Sequence, residues 1–168
     1  MSTYTDLYEK LLWSRKYSAQ NVLVIGIDDD RIRMWHSYFK NAIIHAVDIE
    51  SVMPELLGCE QIKLYMSSDA YDPFFVGNAF GTHGTKFEVL LDDGPRTLRS
   101  MKQFIRLYSD KIRKGGIMII EDVQDFAWFA ELEKVVPEEL QRYIQYFDLR
   151  FVKGRYDDLV FVINTNEV

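Results

Sequence analysis

The chain has 168 residues, 48% of them hydrophobic and 27% charged, which suits one domain built around a large core. Twenty basic residues against 26 acidic ones leave a net charge of −6, which argues against nucleic acid as a partner, since binders of a phosphate backbone carry a basic footprint. No stretch approaches the roughly 18 apolar residues of a membrane span, the first residues hold no basic and apolar leader, and the lone Cys59 excludes an internal disulfide, so a cytoplasmic protein with no membrane partner is expected.

Taken in chain order, the pattern begins with Asp6 and, three residues on, Glu9, a capping-box spacing. Tyr4, Leu7, Tyr8, Leu11 and Leu12 recur at helical spacing, so residues 1–18 are expected to carry an opening helix ahead of an α/β core at 19–168. The run Val22-Leu23-Val24-Ile25 predicts a first strand ending at Gly26. Asp28-Asp29-Asp30 then favours a helix start, and the helix should cover 31–39. A second strand is predicted at 42–47, ending at Asp48, then a short helix near 52–57 and a third strand at 62–66 that ends at Ser67-Ser68-Asp69.

The fourth strand, Phe87-Glu88-Val89-Leu90-Leu91, runs into Asp92-Asp93-Gly94, and the fifth, Ile117-Met118-Ile119-Ile120, into Glu121-Asp122. The helix between them carries Leu98, Met101, Phe104, Ile105, Tyr108 and Ile112 on one face. It is expected to stop at Lys114-Gly115-Gly116, with Lys111, Arg113 and Lys114 complementing the dipole of its last turn. Pro137 marks a junction between helices. Strand-like runs at 146–152 and 159–163 are separated by too few residues for a helical crossover and should pair antiparallel. The expected fold is α/β: a three-layer Rossmann-like sandwich whose seven-stranded, mostly parallel sheet has strand seven antiparallel. No Gly-x-Gly-x-x-Gly follows the first strand, which disfavours a nicotinamide enzyme.

Continuous apolar runs suit strands buried on both faces, and ligands of such sheets bind outside the carboxyl ends of the strands. Asp92, Asp93, Glu121 and Asp122 lie at two such ends. Solvated loop acids would explain one doublet; two doublets on adjoining strands point to a metal or substrate, because desolvated carboxylates repel unless a cation or proton intervenes. The histidines, His36, His45 and His83, have no ligand spacing. His36 and His45 read as packing or surface residues, while His83, in Gly81-Thr82-His83-Gly84, is a candidate base. Arg96 reads equally as an anion binder or as the neutraliser of Asp92 and Asp93.

Several segments carry a resemblance. They are Asn21-Val22-Leu23-Val24-Ile25-Gly26, Arg33-Met34-Trp35, Tyr38-Phe39-Lys40-Asn41-Ala42, Val47-Asp48-Ile49, Leu91-Asp92-Asp93-Gly94-Pro95-Arg96-Thr97, Gly115-Gly116-Ile117, Ile120-Glu121-Asp122-Val123 and Lys153-Gly154-Arg155-Tyr156-Asp157-Asp158. Together they resemble the class I S-adenosylmethionine-dependent methyltransferases, in particular the macrocin O-methyltransferase and cephalosporin hydroxylase-like group. The resemblance implies cofactor contacts from Gly26, Asp48 (ribose hydroxyls), and Ser68 and Asp69 (adenine side); Asp28 and Asp92 are further cofactor-contact candidates beside them. The resemblance also implies magnesium ligands in Asp93, Glu121 and Asp122; together with the readings of Arg96 and His83, the candidate catalytic residues are Asp93, Arg96 and, as a stand-in base, His83. The implied activity is metal-assisted O-methylation of a sugar or small polar acceptor by S-adenosylmethionine, with a homo-oligomer as the further expectation.

The chain departs from that group at three places. Val24 stands where an acid is usual, the loop Ile27-Asp28-Asp29-Asp30 has no glycine, and Pro95-Arg96 replaces Ser-His. An arginine stays protonated and cannot serve as the base. Two other readings therefore stay open: a catalytically silent binding module or partner subunit, and a metal-dependent sugar-nucleotide enzyme on the same fold.

Overall fold

The opening apolar stripe forms helix α1 at Thr5–Leu12, burying Leu7, Tyr8, Leu11 and Leu12. Tyr4 is its N-cap and makes no side-chain cap bond, so the Asp6–Glu9 capping box does not form; Asp6 lies inside the first turn, where its charge suits the dipole. The elements that follow are β1 (Asn21–Ile25), α2 (Asp29–Tyr38), β2 (Ile43–Ile49), α3 (Pro54–Leu57), β3 (Ile62–Met66), α4 (Pro73–Val76), β4 (Phe87–Asp92), α5 (Leu98–Tyr108), β5 (Ile112–Ile120), α6 (Trp128–Glu133), β6 (Ile144–Asp148), α7 (Arg150–Lys153) and β7 (Leu159–Asn164). This computed structural model describes residues 4–26, 28–49 and 54–166, without the side chains of residues 48 and 49.

The seven strands form one sheet in the order β3-β2-β1-β4-β5-β7-β6. β3, β2, β1, β4 and β5 run parallel, and β7 runs antiparallel to both of its neighbours. Alternate residues of each strand enter different cores. Val22, Val24, Val89, Leu91, Ile117 and Ile119 pack with α1 and α2, through Leu12, Ile32, Trp35 and Phe39. Leu23, Ile25, Leu90, Met118 and Ile120 pack with α5 and α6, through Phe104, Ile105, Tyr108 and Phe129. Burial on both faces is why these strands read as unbroken apolar runs. It also excludes water from the middle of the sheet and leaves polar chemistry to its edges.

Three boundaries differ from the sequence pattern. α5 ends at Tyr108, whose hydroxyl donates to the Ala70 carbonyl at 2.7 Å, and a tight turn at Ser109–Lys111 follows. Ile112 then pairs with Phe87, and residues 113–116 bulge before Ile117 pairs with Val89. Lys111, Arg113 and Lys114 therefore belong to a turn and a strand, not to the helix C-terminus. The glycines are needed for the bulge: Gly115 has φ +82°, and a Cβ on Gly116 would lie 2.8 Å from the Arg113 carbonyl oxygen. The strand expected at 146–152 runs instead from Ile144 to Asp148, after which α7 ends at Gly154 in the left-handed region (φ +68°). α4 is too short for apolar periodicity to mark it, and Asp72 and Pro73 supply its cap and first position. Residues 51–53, the start of the helix expected near 52–57, lie outside the described residues.

Candidate active site at the carboxyl edge of the sheet

β4 sits between β1 and β5, and Asp92 is in register with both Ile25 and Ile120. The chains therefore leave the sheet side by side. The Asp93 N–H donates to the Ile25 carbonyl at 3.0 Å, and the Glu121 N–H to the Asp92 carbonyl at 3.1 Å. Asp122 takes a left-handed backbone, φ +55°, a conformation Asp tolerates better than most residues. The result is a cluster in which one carboxylate oxygen from each of Asp93, Glu121 and Asp122 lies within 4.8 Å of the others. Glu121 and Asp122 are buried, and Asp93 is partly exposed.

Two arginines and a tyrosine hold this cluster. Arg31, from the first turns of α2, pairs with Asp93 and reaches both oxygens of Glu121, at 3.1 and 3.3 Å. Arg96 spans Asp122 and Asp157, each at 3.0 Å. Tyr4 donates its hydroxyl to Asp122 at 2.5 Å. Asp157 and Asp158 join because β7 begins where β5 ends, an arrangement that only an antiparallel neighbour provides. Burial, then the charge of Asp122, pushes the Glu121 carboxyl well above the ordinary range. Burial also pushes Asp93 up to about 6, against the opposing pull of Arg31.

Asp92 stands apart from this trio. It is buried, accepts from the Tyr71 hydroxyl at 2.6 Å and from the Gly94 N–H at 3.1 Å, and burial pushes its carboxyl up to about 7. Gly26 has φ +72°, and a Cβ there would lie 2.5 Å from the Asp93 carbonyl oxygen and from the Gly94 Cα. The β1–α2 and β4–α5 turns are thus in contact, and that approach alone requires glycine.

The other expected site residues divide. Asp28 spends a carboxylate oxygen as the N-cap of α2, accepting from the Arg31 N–H at 3.0 Å, as its helix-start reading implied; that oxygen is committed to the helix rather than aimed at a ligand. Ser68 donates to the Met66 carbonyl, and Asp69 caps the turn to Tyr71. Asp69 and Tyr71, with Thr97, Ser100, Gln103 and Arg106, line a cavity of about 510 Å³ that runs from the turn after β3 along α5. Asp48 falls at a register shift near the end of β2, and its side chain lies outside the described residues.

His83 is a correction. It lies in the turn leading into the amino end of β4, so the six residues of that strand put roughly 17 Å between it and the acid cluster. It cannot reach a proton there. His45 packs between Asn21 and Tyr65 with its basicity lowered to about 4 by burial, and His36 contacts Gln61, both in line with packing roles. The sequence reading missed Tyr4, Arg31 and Tyr71 as site residues. Tyr4 looked like one more member of an apolar stripe, and Arg31 like a helix surface residue; no local signal marks either.

Three carboxylates are a donor set that suits a hard, oxygen-preferring divalent cation, although Arg31 holds two of them. For S-adenosylmethionine, the cavity beside Asp69 offers room, whereas the space beside Gly26 is filled by the Asp93 and Gly94 backbone and the capping duty of Asp28 does not favour a cofactor role for that residue. No helix among the described residues is long and apolar enough to cross a membrane.

No protein-family model matches the chain. It is 26% identical over 133 residues to L-olivosyl-oleandolide 3-O-methyltransferase of Streptomyces antibioticus, a match covering 74% of this chain and 33% of that protein. It is 25% identical over 136 residues to 8-demethyl-8-alpha-L-rhamnosyl tetracenomycin-C 2'-O-methyltransferase of Streptomyces olivaceus, covering 76% and 35%. The chain thus spans about a third of the length of these curated relatives. Among solved structures, the MycE methyltransferase of mycinamycin biosynthesis, in complex with Mg, SAH and mycinamycin VI, superposes with a TM-score of 0.71 at 20% identity, over 96% of this chain and 48% of that one. The fibrillarin pre-rRNA processing protein of Methanococcus jannaschii follows at 0.60 and 16%, over 91% and 70%.

Proposed function

We propose, from the premise that this chain has the class I S-adenosylmethionine-dependent methyltransferase fold, that it works as an O-methyltransferase on a sugar hydroxyl, assisted by a divalent cation. The observation that carries the reading is the convergence of Asp93, Glu121 and Asp122 at the carboxyl edge of β4 and β5. The two sugar O-methyltransferase relatives, and the Mg and SAH bound in MycE, support it.

In this reading Asp93, Glu121 and Asp122 would hold the cation. When bound, the ion would lower the pKa of an acceptor hydroxyl, chemistry that makes a histidine base dispensable. The chain's own task is then positioning. Tyr4 and Arg96 fix the Asp122 carboxylate from two sides, and the buried Glu121 is fenced from water. Asp48 would take the ribose hydroxyls, Ser68 and Asp69 the adenine side, and the Gly26 turn and Asp92 the methionine end. A silent binding module is the second reading, favoured by the capping role of Asp28 and by Arg31 sitting on two of the acids.

Calorimetry with S-adenosylmethionine and S-adenosylhomocysteine, with and without magnesium, followed by a methyl-transfer screen over deoxysugar glycosides, tests the proposal. Cofactor binding and magnesium-dependent transfer are expected. Cofactor binding with no transfer to any acceptor would leave the silent module, and no binding at millimolar cofactor would end the methyltransferase reading.

A further inference from the structure

Arg31 is the residue of the acid cluster that the proposed function leaves unused. Its guanidinium pairs with Asp93 and forks onto both oxygens of Glu121. Those are two of the three carboxylates that a cation would need. The Glu121 side chain is only 1% exposed, so it gains little from water and depends on whatever positive charge lies beside it. Arg96 is shared between Asp122 and Asp157, so Arg31 is the cation bonded to Asp93 and Glu121. A divalent ion bound by Asp93 and Glu121 would need the carboxylate oxygens that the Arg31 guanidinium now occupies, and would lie against that like charge if the guanidinium stayed in place. Like charges so placed repel strongly.

We infer that Arg31 is the site's built-in cation and that a divalent ion enters only as the Arg31 guanidinium leaves, so metal binding here is an exchange. The inference rests on the metal-assisted reading above and adds to it a residue that sets metal affinity. The structure also offers the displaced side chain a destination. Arg31 borders a cavity of about 330 Å³ between α1 and α2, lined also by Tyr8, Glu9, Met34, Trp35 and Tyr38. An arginine stem suits such an apolar wall, and Glu9 would meet its head group. Arg31 is 30% exposed on its side chain, so the move needs no unfolding of α2. Loss of the ion would return Arg31 to Asp93 and Glu121, which protects the empty cluster from self-repulsion.

The test is binding of Mn2+, followed by the electron paramagnetic resonance signal of the free ion, to the wild-type chain, Arg31→Met, Arg31→Lys and, as a control on the same helix, Arg33→Met. Removing a competitor should tighten binding, so Arg31→Met should bind roughly tenfold more tightly than wild type or better. Arg31→Lys should fall between them, because an ammonium cannot fork across two carboxylates, and Arg33→Met should match wild type. A purely structural role for Arg31 gives the opposite sign: both Arg31 variants would bind more weakly. Equal or weaker binding by the Arg31 variants, with Mn2+ bound by wild type, overturns the exchange and leaves the metal reading standing. No Mn2+ bound by any of the four proteins removes the metal reading and the exchange with it. Arg31→Lys keeps the positive charge, so it decides the matter if Arg31→Met fails to fold.

Discussion

Tyr4, at the start of α1, donates its hydroxyl to Asp122, just past the end of β5, across 118 positions of sequence. The bond ties the opening helix to the carboxyl edge of the sheet and gives a buried carboxylate a second partner beside Arg96. Burial and the neighbouring acids keep the phenol protonated and therefore a donor. Tyr4→Phe should cost about 1–2 kcal/mol, the usual loss when a buried acceptor is stranded. In thermal denaturation a chain of this size should lose roughly 2–4 °C of Tm for each kcal/mol. An unchanged Tm would mean that Arg96 alone satisfies Asp122.

Asp93→Asn and Asp122→Asn remove charge with little change of shape, so circular dichroism should show both folded. Each should lower magnesium-dependent methyl transfer by roughly 100-fold or more, since ligand loss exceeds the 10–100-fold typical of supporting residues. Steady-state rates over a magnesium titration check this. Full activity of wild type in excess chelator would refute cation assistance.

Asp92 gives a pH dependence with a definite sign. Its carboxyl is raised from 3.8 to about 7 by burial, so the folded chain holds this proton more tightly than the unfolded one. The associated stability is complete below about pH 4 and is lost as pH rises toward 7, and Asp93, raised to about 6, adds in the same direction. Asp92→Asn cannot ionise and keeps an acceptor for Tyr71. Relative to wild type it should gain stability between about pH 4 and pH 8, by up to roughly 4 kcal/mol. Urea unfolding at the two ends of that range measures the difference. Parallel pH profiles for the two proteins would rule out a titrating Asp92.

Gly26→Ala should destabilise the chain by roughly 2 kcal/mol or more, because a left-handed backbone and a clash with the Asp93 carbonyl act together. Gly58→Ala, where nothing lies within 4 Å of the added carbon, is the control and should be near neutral or mildly stabilising in the same chemical denaturation. Equal effects at the two positions would show that the β1–α2 and β4–α5 turns are not in contact.

The apolar runs at β1, β4 and β5 determined a parallel sheet buried on both faces, because no half-exposed strand can be apolar at every position. The acids that follow those runs determined where chemistry should be sought, since a strand end places its next residues at the sheet edge whatever the rest of the chain does. Asp28 as a helix cap and the antiparallel final pair were legible for the same reason: each depends on neighbours in sequence. The end of α5 was not, because Lys111, Arg113 and Lys114 suit a helix terminus locally, and only the pairing of Ile112 with Phe87 draws that segment into a strand. His83 looked available as a base until the direction of β4 placed it at the far end of the sheet. Arg31 and Tyr4 became site residues only through packing. Helix α2 delivers a guanidinium to Asp93 and Glu121, and α1 delivers a phenol to Asp122, over separations of 62 to 118 residues. Desolvated carboxylates require counter-charges and donors but do not specify where in the chain they come from. Tertiary structure alone made that choice.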